Sequence, residues 1–210
     1  MNILLAGDSW GMPNYCGPPG VPPQYHLQYL LQDAGHRVVN ASKNGGSNLE
    51  ALDRIHNFYT DEEYIVWFHT SPLRDYMPSY EFKDEMYIPK DYYNKVNACI
   101  KDIISKYSVK FIAIGGCTTL SNYLNTEHLH YYIKDWKSEI LGKQLPEAIW
   151  WGCMNYPITT NKYQEAEIMI DEISNSKDFP DNGHPGIRPH AELMQRLTKE
   201  VFEKTINSNY

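Results

Sequence analysis

The stretch NILLAGDSWG, residues 2–11, decides the fold because a short apolar strand ends directly on an Asp-Ser pair between glycines. Two interpretations of this ending are open. Gly-Asp-Ser is ordinary turn chemistry, and it is also a way to present a nucleophilic serine on a tight turn between a strand and a helix. The rest of the chain must supply the partners that decide between them.

Length and charge limit the classes of protein to which the chain can belong. Its 210 residues, 42% hydrophobic and 21% charged, suit one globular domain over 1–210. A formal net charge of -7 and the lack of any basic run argue against nucleic acid or an anionic membrane as partner.

The apolar start is too short for a signal peptide, and no segment approaches the ~18 apolar residues of a membrane span, so a cytoplasmic location is expected. Irregular spacing favours free thiols at Cys16, Cys99, Cys117 and Cys153, with a Cys117–Cys153 bridge as the alternative.

Strand and helix patterns alternate along the chain, which predicts an α/β fold with a mostly parallel sheet. Ligands bind outside the carboxyl ends of the strands in such sheets. Strands are expected at 2–6, 37–40, 63–69 and 109–116, with a fifth in AIWWGCM, residues 148–154. Helices are expected from Gln24 to a Gly35 cap, from near Leu49, over 91–107, over 162–174 and after Pro189.

Two segments, about 72–90 and 118–162, are expected to be insertions in the domain. They are rich in aromatic residues, whose faces suit sugar rings or acyl chains in a pocket wall. The alternative is that the same rings pack the insertions onto the sheet. The residues concerned are Tyr76, Tyr80, Tyr87, Tyr92, Trp136, Trp150 and Trp151.

Partners for Ser9 stand near the end of the chain, in FPDNGHPGIRPH. A serine hydroxyl is a weak nucleophile until a base takes its proton, and the base is usually a histidine oriented by a carboxylate. Asp181 and His184 are three residues apart in a loop before the last helix, so the carboxylate can reach the imidazole locally. Each residue alone is ordinary loop chemistry, but the combination with Ser9 is not expected by chance.

With these motifs the chain resembles the SGNH, or GDSL-type, hydrolase family. The resemblance rests on Gly7–Ser9 after the first strand, on Gly46 in NGGSN after the second, and on Asp181–Pro185 before the last helix. It implies a flavodoxin-like, three-layer α/β/α fold with a mostly parallel sheet of about five strands. The variants GDSW, GGSN and TSP-x-R are similar to SGNH-like proteins of tailed phages, which implies a virus-encoded protein.

The resemblance also implies ester hydrolysis without a cofactor. Ser9 is then the nucleophile, His184 the base and Asp181 the residue that orients it. The backbone N–H groups of Ser9 and Gly46 are then donors to the oxyanion. The implied substrate is a small ester, such as an O-acetyl group on a glycan.

One position of the family pattern is missing. The block after the third strand usually has the pattern Gly-x-Asn-Asp, with the Asn side chain donating to the oxyanion, but here the strand continues into FHTSPLRD. Ser71 takes the Asn position, so Ser71, Thr70 or Asn48 must supply the donor. Loss of one such donor costs about 2.7–4 kcal/mol in a serine hydrolase. The alternatives are a slow enzyme, or a binding or structural module with the same fold.

Three residues in or beside these motifs are weaker candidates for substrate contacts: Asn48, Trp10 and Arg74. Trp10 directly follows the serine, and Arg74 could bind an acidic substrate group or pair with Asp75 or Glu81.

Other classes of site fit less well. The pattern Gly-x-Ser-x-Gly at residues 7–11 also matches the elbow of α/β-hydrolases, but that fold builds several strands before its elbow. No G-x-G-x-x-G follows the first strand, which argues against a dinucleotide site. The pairs His128/His130 and His184/His190 lack supporting ligands at metal-site spacing, so no metal is expected.

Overall fold

A five-stranded parallel sheet forms the centre of the protein, with strand order β2-β1-β3-β4-β5. The computed structural model describes residues 1–12, 23–70, 72–76, 90–116, 120–142, 178 and 185–203. Its strands are β1 (Asn2–Gly7), β2 (Arg37–Asn40), β3 (Tyr64–His69), β4 (Lys110–Gly115) and β5 (Tyr131–Ile133). Its helices are α1 (Leu27–Asp33), α2 (Asn48–Phe58), α3 (Leu73–Tyr76), α4 (Lys90–Tyr107), α5 (Trp136–Leu141) and α6 (Ile187–Leu197), which continues as a π-helix over Thr198–Phe202. Short 3-10 helices lie at Ser9–Gly11, Pro23–Tyr25 and Thr126–His128.

The two faces of the sheet are covered by different helices, because successive side chains of a strand point to opposite faces. On one face, Ile3 and Leu5 of β1 share a buried cluster with residues of α1, α5 and α6. On the other face, Leu4 and Ala6 share a cluster with residues of α2 and α4. This arrangement is the predicted three-layer α/β/α fold, and it explains why β3 is apolar at nearly every position.

Several predicted boundaries and elements differ from the structure. The first long helix begins at Leu27 rather than Gln24, because residues 23–25 form a separate 3-10 turn. The last helix begins at Ile187 and not after Pro189, which lies in its first turn, where a missing N–H is tolerated.

The fifth strand is the largest difference. It was expected at residues 148–154, which lie outside the described residues, as do 162–174. The fifth strand of the sheet is instead Tyr131–Ile133, paired with β4. Residues 120–142 therefore contribute β5 and α5 to the fold itself, and the predicted insertion at 118–162 is wrong over this part. The predicted loop at 72–90 likewise contains α3.

The strand order places a crevice at one point along the sheet. The chain leaves β1 for β2 on one side, and β3 lies on the other side of β1. Connections diverge between β1 and β3, and such switch points are where ligands bind in open parallel sheets. Among the described helices, none is long and apolar enough to cross a lipid bilayer.

Candidate active site

Ser9 and Thr70 lie at the two sides of this switch point. Gly7, the last residue of β1, pairs with Phe68 of β3. Ser9 follows β1 by two residues and Thr70 follows β3 by one, so both stand at the carboxyl edge of the sheet. The topology therefore brings together two residues that the sequence analysis assigned to one site.

The turn after β1 is fixed by hydrogen bonds of its own. The Asp8 carboxylate accepts from the Trp10 N–H at 3.0 Å, and the Asp8 carbonyl accepts from the Gly11 N–H at 3.1 Å. Ser9 thus opens a single 3-10 turn capped by the residue before it, and it is 6% exposed. Capping of this kind holds the serine in one backbone conformation.

The glycines on either side of the serine are explained by close approach of neighbouring groups. A Cβ on Gly7, whose φ is 143°, would lie 2.7 Å from the Phe68 carbonyl oxygen. A Cβ on Gly11 would lie 2.3 Å from the Ser42 hydroxyl. Both positions therefore lack room for a side chain, and the positive φ of Gly7 favours glycine there as well.

Asp8 is fully buried, and its charge is balanced by Arg74. The Arg74 Nη1 lies 3.0 Å from the Asp8 Oδ2 and donates a second hydrogen bond, 3.2 Å long, to the Gly46 carbonyl. Arg74 therefore does not pair with Asp75, and Glu81 lies outside the described residues. The guanidinium joins three segments, those that follow β1, β2 and β3.

In the loop after β2, the backbone N–H that is free to donate is not the predicted one. The Gly46 N–H donates to the Lys43 carbonyl at 2.9 Å, so it is not a free oxyanion donor in this structure, contrary to the prediction. Gly45 has φ 65° at the third position of this turn, which is the geometry of a type II turn and favours glycine. The Gly45 N–H makes no hydrogen bond within the described residues. The Asn44-Gly45 dipeptide is the sequence signal for this turn.

Thr70 and Asn48 form a buried pair at the end of β3. The Asn48 Oδ1 accepts from the Thr70 N–H at 2.9 Å, and its amide group donates to the Thr70 carbonyl at 2.7 Å and to the Tyr92 hydroxyl at 3.0 Å. Both amide hydrogens of Asn48 are thus used, which excludes the predicted substrate or oxyanion role in this structure. The Thr70 hydroxyl, in contrast, is buried and has no hydrogen-bond partner among the described residues.

Asp75 extends this network. Its carboxylate accepts from the Tyr92 hydroxyl at 2.7 Å and from the Leu49 N–H at the start of α2 at 3.2 Å. Burial, with the Asp75 carboxylate as a second cause, raises the pKa of Tyr92 far above its usual range, so the phenol stays protonated. The network ties α2, α3 and α4 to the turn that carries Thr70.

Trp10, Trp136 and Tyr92 belong to the core rather than to a pocket wall. Trp10 is 3% exposed and packs edge-on against Trp136, with ring centroids 5.6 Å apart. Tyr92 is equally buried on the other face of the sheet. The predicted substrate contact through Trp10 and the predicted wall role of Trp136 and Tyr92 are therefore wrong. The side chain of Tyr76 and all of Tyr80, Tyr87, Trp150 and Trp151 lie outside the described residues.

The proposed base and its carboxylate also lie outside the described residues, as does Ser71, but the chain on both sides of 179–184 is anchored. The Gly186 N–H donates to the Asp178 carbonyl at 2.7 Å, and Arg188 forms an ion pair with the Asp178 carboxylate. The first turn of α6 then packs His190 against Trp136, with ring centroids 5.7 Å apart.

The described histidines and Cys99 form no metal centre with one another. His128 and His130 are exposed, and His190 is buried beside His26. No group of three or more metal-ligating side chains occurs within the part of the chain that the structure describes. Cys99 is a free thiol, and the other three cysteines are outside that part.

Comparison with solved structures identifies proteins with the same architecture. The esterase EstA from Pseudoalteromonas sp., in a form inhibited by monoethylphosphonate, is 12% identical with a TM-score of 0.54, and the match covers 98% of both chains. A protein from Bacteroides uniformis described as a GDSL-like lipase is 13% identical with a TM-score of 0.51, and the match covers 96% of this chain and 95% of that one. An acetyl xylan esterase, AlAXEase, is 12% identical with a TM-score of 0.50, over 96% of this chain and 100% of that one.

Sequence comparison with protein-family models gives no match, and neither does comparison with curated proteins. The likeness is therefore one of three-dimensional structure. It extends over nearly the whole chain. The chain has the fold of the SGNH, or GDSL-type, esterases.

Proposed function

We propose that the protein is a serine ester hydrolase of SGNH type, with Ser9 as the nucleophile. The observation that carries this proposal is the position of Ser9 in a capped 3-10 turn at the switch point of the sheet. In the reaction, the Ser9 oxygen bonds to the ester carbonyl carbon and its proton passes to a base. The carbonyl oxygen becomes an oxyanion, and the alcohol then leaves with a proton returned by the base, so that the acyl group stays on Ser9. Water, whose proton passes to the same base, then displaces the acyl group as a carboxylic acid, and the proton returns to the Ser9 oxygen.

His184 is the proposed base, and Asp181 the carboxylate that orients it. The anchored ends of their loop support this assignment. Gly186 lies two residues after His184, at the start of α6, and the first turn of α6 contacts Trp136, which in turn contacts Trp10, the neighbour of Ser9. These contacts put the first turn of α6, which follows the segment of His184, on the Trp10 side of the sheet.

Three groups are proposed as donors to the oxyanion: the Ser9 N–H, the Gly45 N–H and the Thr70 hydroxyl. Gly45 replaces Gly46 in this role because its amide makes no hydrogen bond within the described residues. A buried hydroxyl without a partner is costly, and such exceptions call for an explanation. Thr70 fits a donor that is satisfied only when substrate is bound, and Ser71 remains a second candidate.

The proposed substrate is a small ester, with an O-acetyl group on a glycan as the specific case. Its support is the resemblance stated above and the structural likeness to an acetyl xylan esterase. The described aromatic side chains do not add to it, since Trp136 and Tyr92 are buried. The cytoplasmic location and viral origin stay predictions from the sequence.

Labelling with a fluorophosphonate probe tests the proposal. The wild-type protein is expected to be labelled at Ser9 and to hydrolyse p-nitrophenyl acetate, whereas Ser9→Ala does neither and His184→Ala loses several orders of magnitude in kcat. Ser105→Ala is the matched control and should behave as wild type, because Ser105 is exposed near the end of α4, which leads into the amino end of β4 at the opposite edge of the sheet. A folded wild-type protein that is not labelled and has no esterase activity would instead be a binding module.

A further inference from the structure

We infer that Arg74 is a positioning residue for the reaction, acting through its ion pair with Asp8 to hold the Ser9 turn and to balance the charge beside it. The inference rests on the proposed function and adds a residue and a physical role to it. It follows from the contacts of one guanidinium nitrogen with two different segments.

The geometry joins the loops that carry the proposed catalytic groups. The Arg74 Nη1 donates to the Asp8 carboxylate, which caps the turn of Ser9, and to the carbonyl of Gly46 in the β2–α2 loop. Arg74 itself belongs to α3, directly after the turn that contains Thr70. One side chain therefore sets the separation of the nucleophile from both groups of proposed oxyanion donors.

The burial of Asp8 makes the pairing necessary. Its side chain is 0% exposed, and within the described residues Arg74 is the one cation at ion-pair distance from it. An uncompensated buried carboxylate is strongly unfavourable. Asp8 directly precedes Ser9, beside which the oxyanion is proposed to form. An unbalanced negative charge on Asp8 would therefore raise the barrier to the chemical step.

The single change and the double change therefore have different expected effects. Arg74→Met leaves the Asp8 charge unbalanced, and kcat is expected to fall about 30- to 100-fold with KM changed by less than about threefold. Asp8→Asn combined with Arg74→Met removes both charges, while the Asn side chain still accepts from the Trp10 N–H. This double variant should regain at least about tenfold of the lost kcat, a coupling that independent sites do not show.

Arg37→Met is the matched control, since it breaks the exposed ion pair with Asp61 at the amino end of β2, the opposite edge of the sheet. It should leave kcat unchanged. Thermal melting of every variant separates loss of fold from loss of rate. If Arg74→Met does not fold, Arg74→Gln replaces it: the amide keeps an N–H donor but removes the charge, so kcat should fall while the melting temperature stays within a few degrees.

The outcomes separate this inference from the proposed function. If wild type is active and Ser9→Ala is inactive, but Arg74→Met or its Gln replacement keeps wild-type kcat, the role of Arg74 is wrong and the proposed function stands. Equal losses of kcat in Arg74→Met and in the double variant would also overturn the charge-balancing role. If Ser9→Ala retains wild-type activity, the proposed function itself fails.

Discussion

Thr70 and Asn48 lie side by side at the end of β3, and their hydrogen bonds assign them opposite roles. Asn48 uses its carbonyl oxygen and both amide hydrogens on neighbours within the protein, so it is a structural residue. The Thr70 hydroxyl makes no hydrogen bond within the described residues. A buried polar group that does nothing for stability is a candidate for a role in the reaction.

Replacing Thr70 by Val tests this difference, since Val keeps the shape and removes the hydroxyl. We expect kcat for p-nitrophenyl acetate to fall about 10- to 100-fold, a little less than for loss of a full oxyanion donor, with no loss of stability. Asn48→Leu is the comparison: it leaves the Thr70 backbone groups unpaired and should lower the free energy of unfolding by about 2–4 kcal/mol. A Thr70→Val protein with wild-type kcat would remove Thr70 from the site.

At the scale of elements, the described polar groups behind the site hold helices rather than substrate. The Asp75 carboxylate binds the Leu49 N–H at the start of α2 and the Tyr92 hydroxyl on α4. Such a cap satisfies an N–H that the helix cannot satisfy itself. The phenol of Tyr92 is thus the link between α4 and the turn after β3.

Tyr92→Phe is therefore expected to destabilise the protein. It leaves the Asp75 carboxylate and one Asn48 amide hydrogen without this partner, at a cost of about 1–3 kcal/mol in the free energy of unfolding measured in urea. Tyr132→Phe removes the same hydroxyl from an exposed side chain of β5 and should change it by less than about 0.5 kcal/mol. Equal stability of the two variants would contradict the network.

For the whole molecule, the buried His26 of the α1–α6 face predicts how stability depends on pH. His26 caps α1, with its Nδ1 accepting from the Gln28 N–H, and its ring packs at a tilt against that of His190, with centroids 4.3 Å apart. Burial lowers the pKa of His26 to about 4, and the Trp10 backbone offsets this only in part. Because the folded pKa lies below the unfolded value of 6.5, the neutral ring contributes stability above pH 6.5.

That contribution is lost as the pH falls from 6.5 towards 4, because the unfolded chain then binds a proton that the folded chain does not. The loss amounts to roughly 3 kcal/mol in urea denaturation over this range. His26→Asn keeps a good capping acceptor and should flatten the profile, whereas a change of the exposed His128 to Asn should not. A wild-type profile that is flat between pH 6.5 and 4 would exclude this role of His26.

The sequence by itself determined the order of the elements, because strand and helix periodicity are local properties of the chain. β1, β2, α2, β3, α4 and β4 lie within a residue or two of their predicted bounds. The turn at Gly7–Gly11 was likewise predictable, since glycine and aspartate specify it locally. The parallel sheet and its three layers followed from that alternation.

Only the tertiary structure decided which side chains pair with one another. Arg74 finds Asp8 across 66 residues of sequence, and Asn48 finds Thr70 across 22, so neither pairing has a local signal. β5 is only three residues long, and it forms a strand because it pairs with the edge of β4. Tertiary packing likewise decided the roles of Trp10, Trp136 and Tyr92. An aromatic side chain suits a core or a pocket wall equally, and only its packing against the sheet shows which of the two it belongs to.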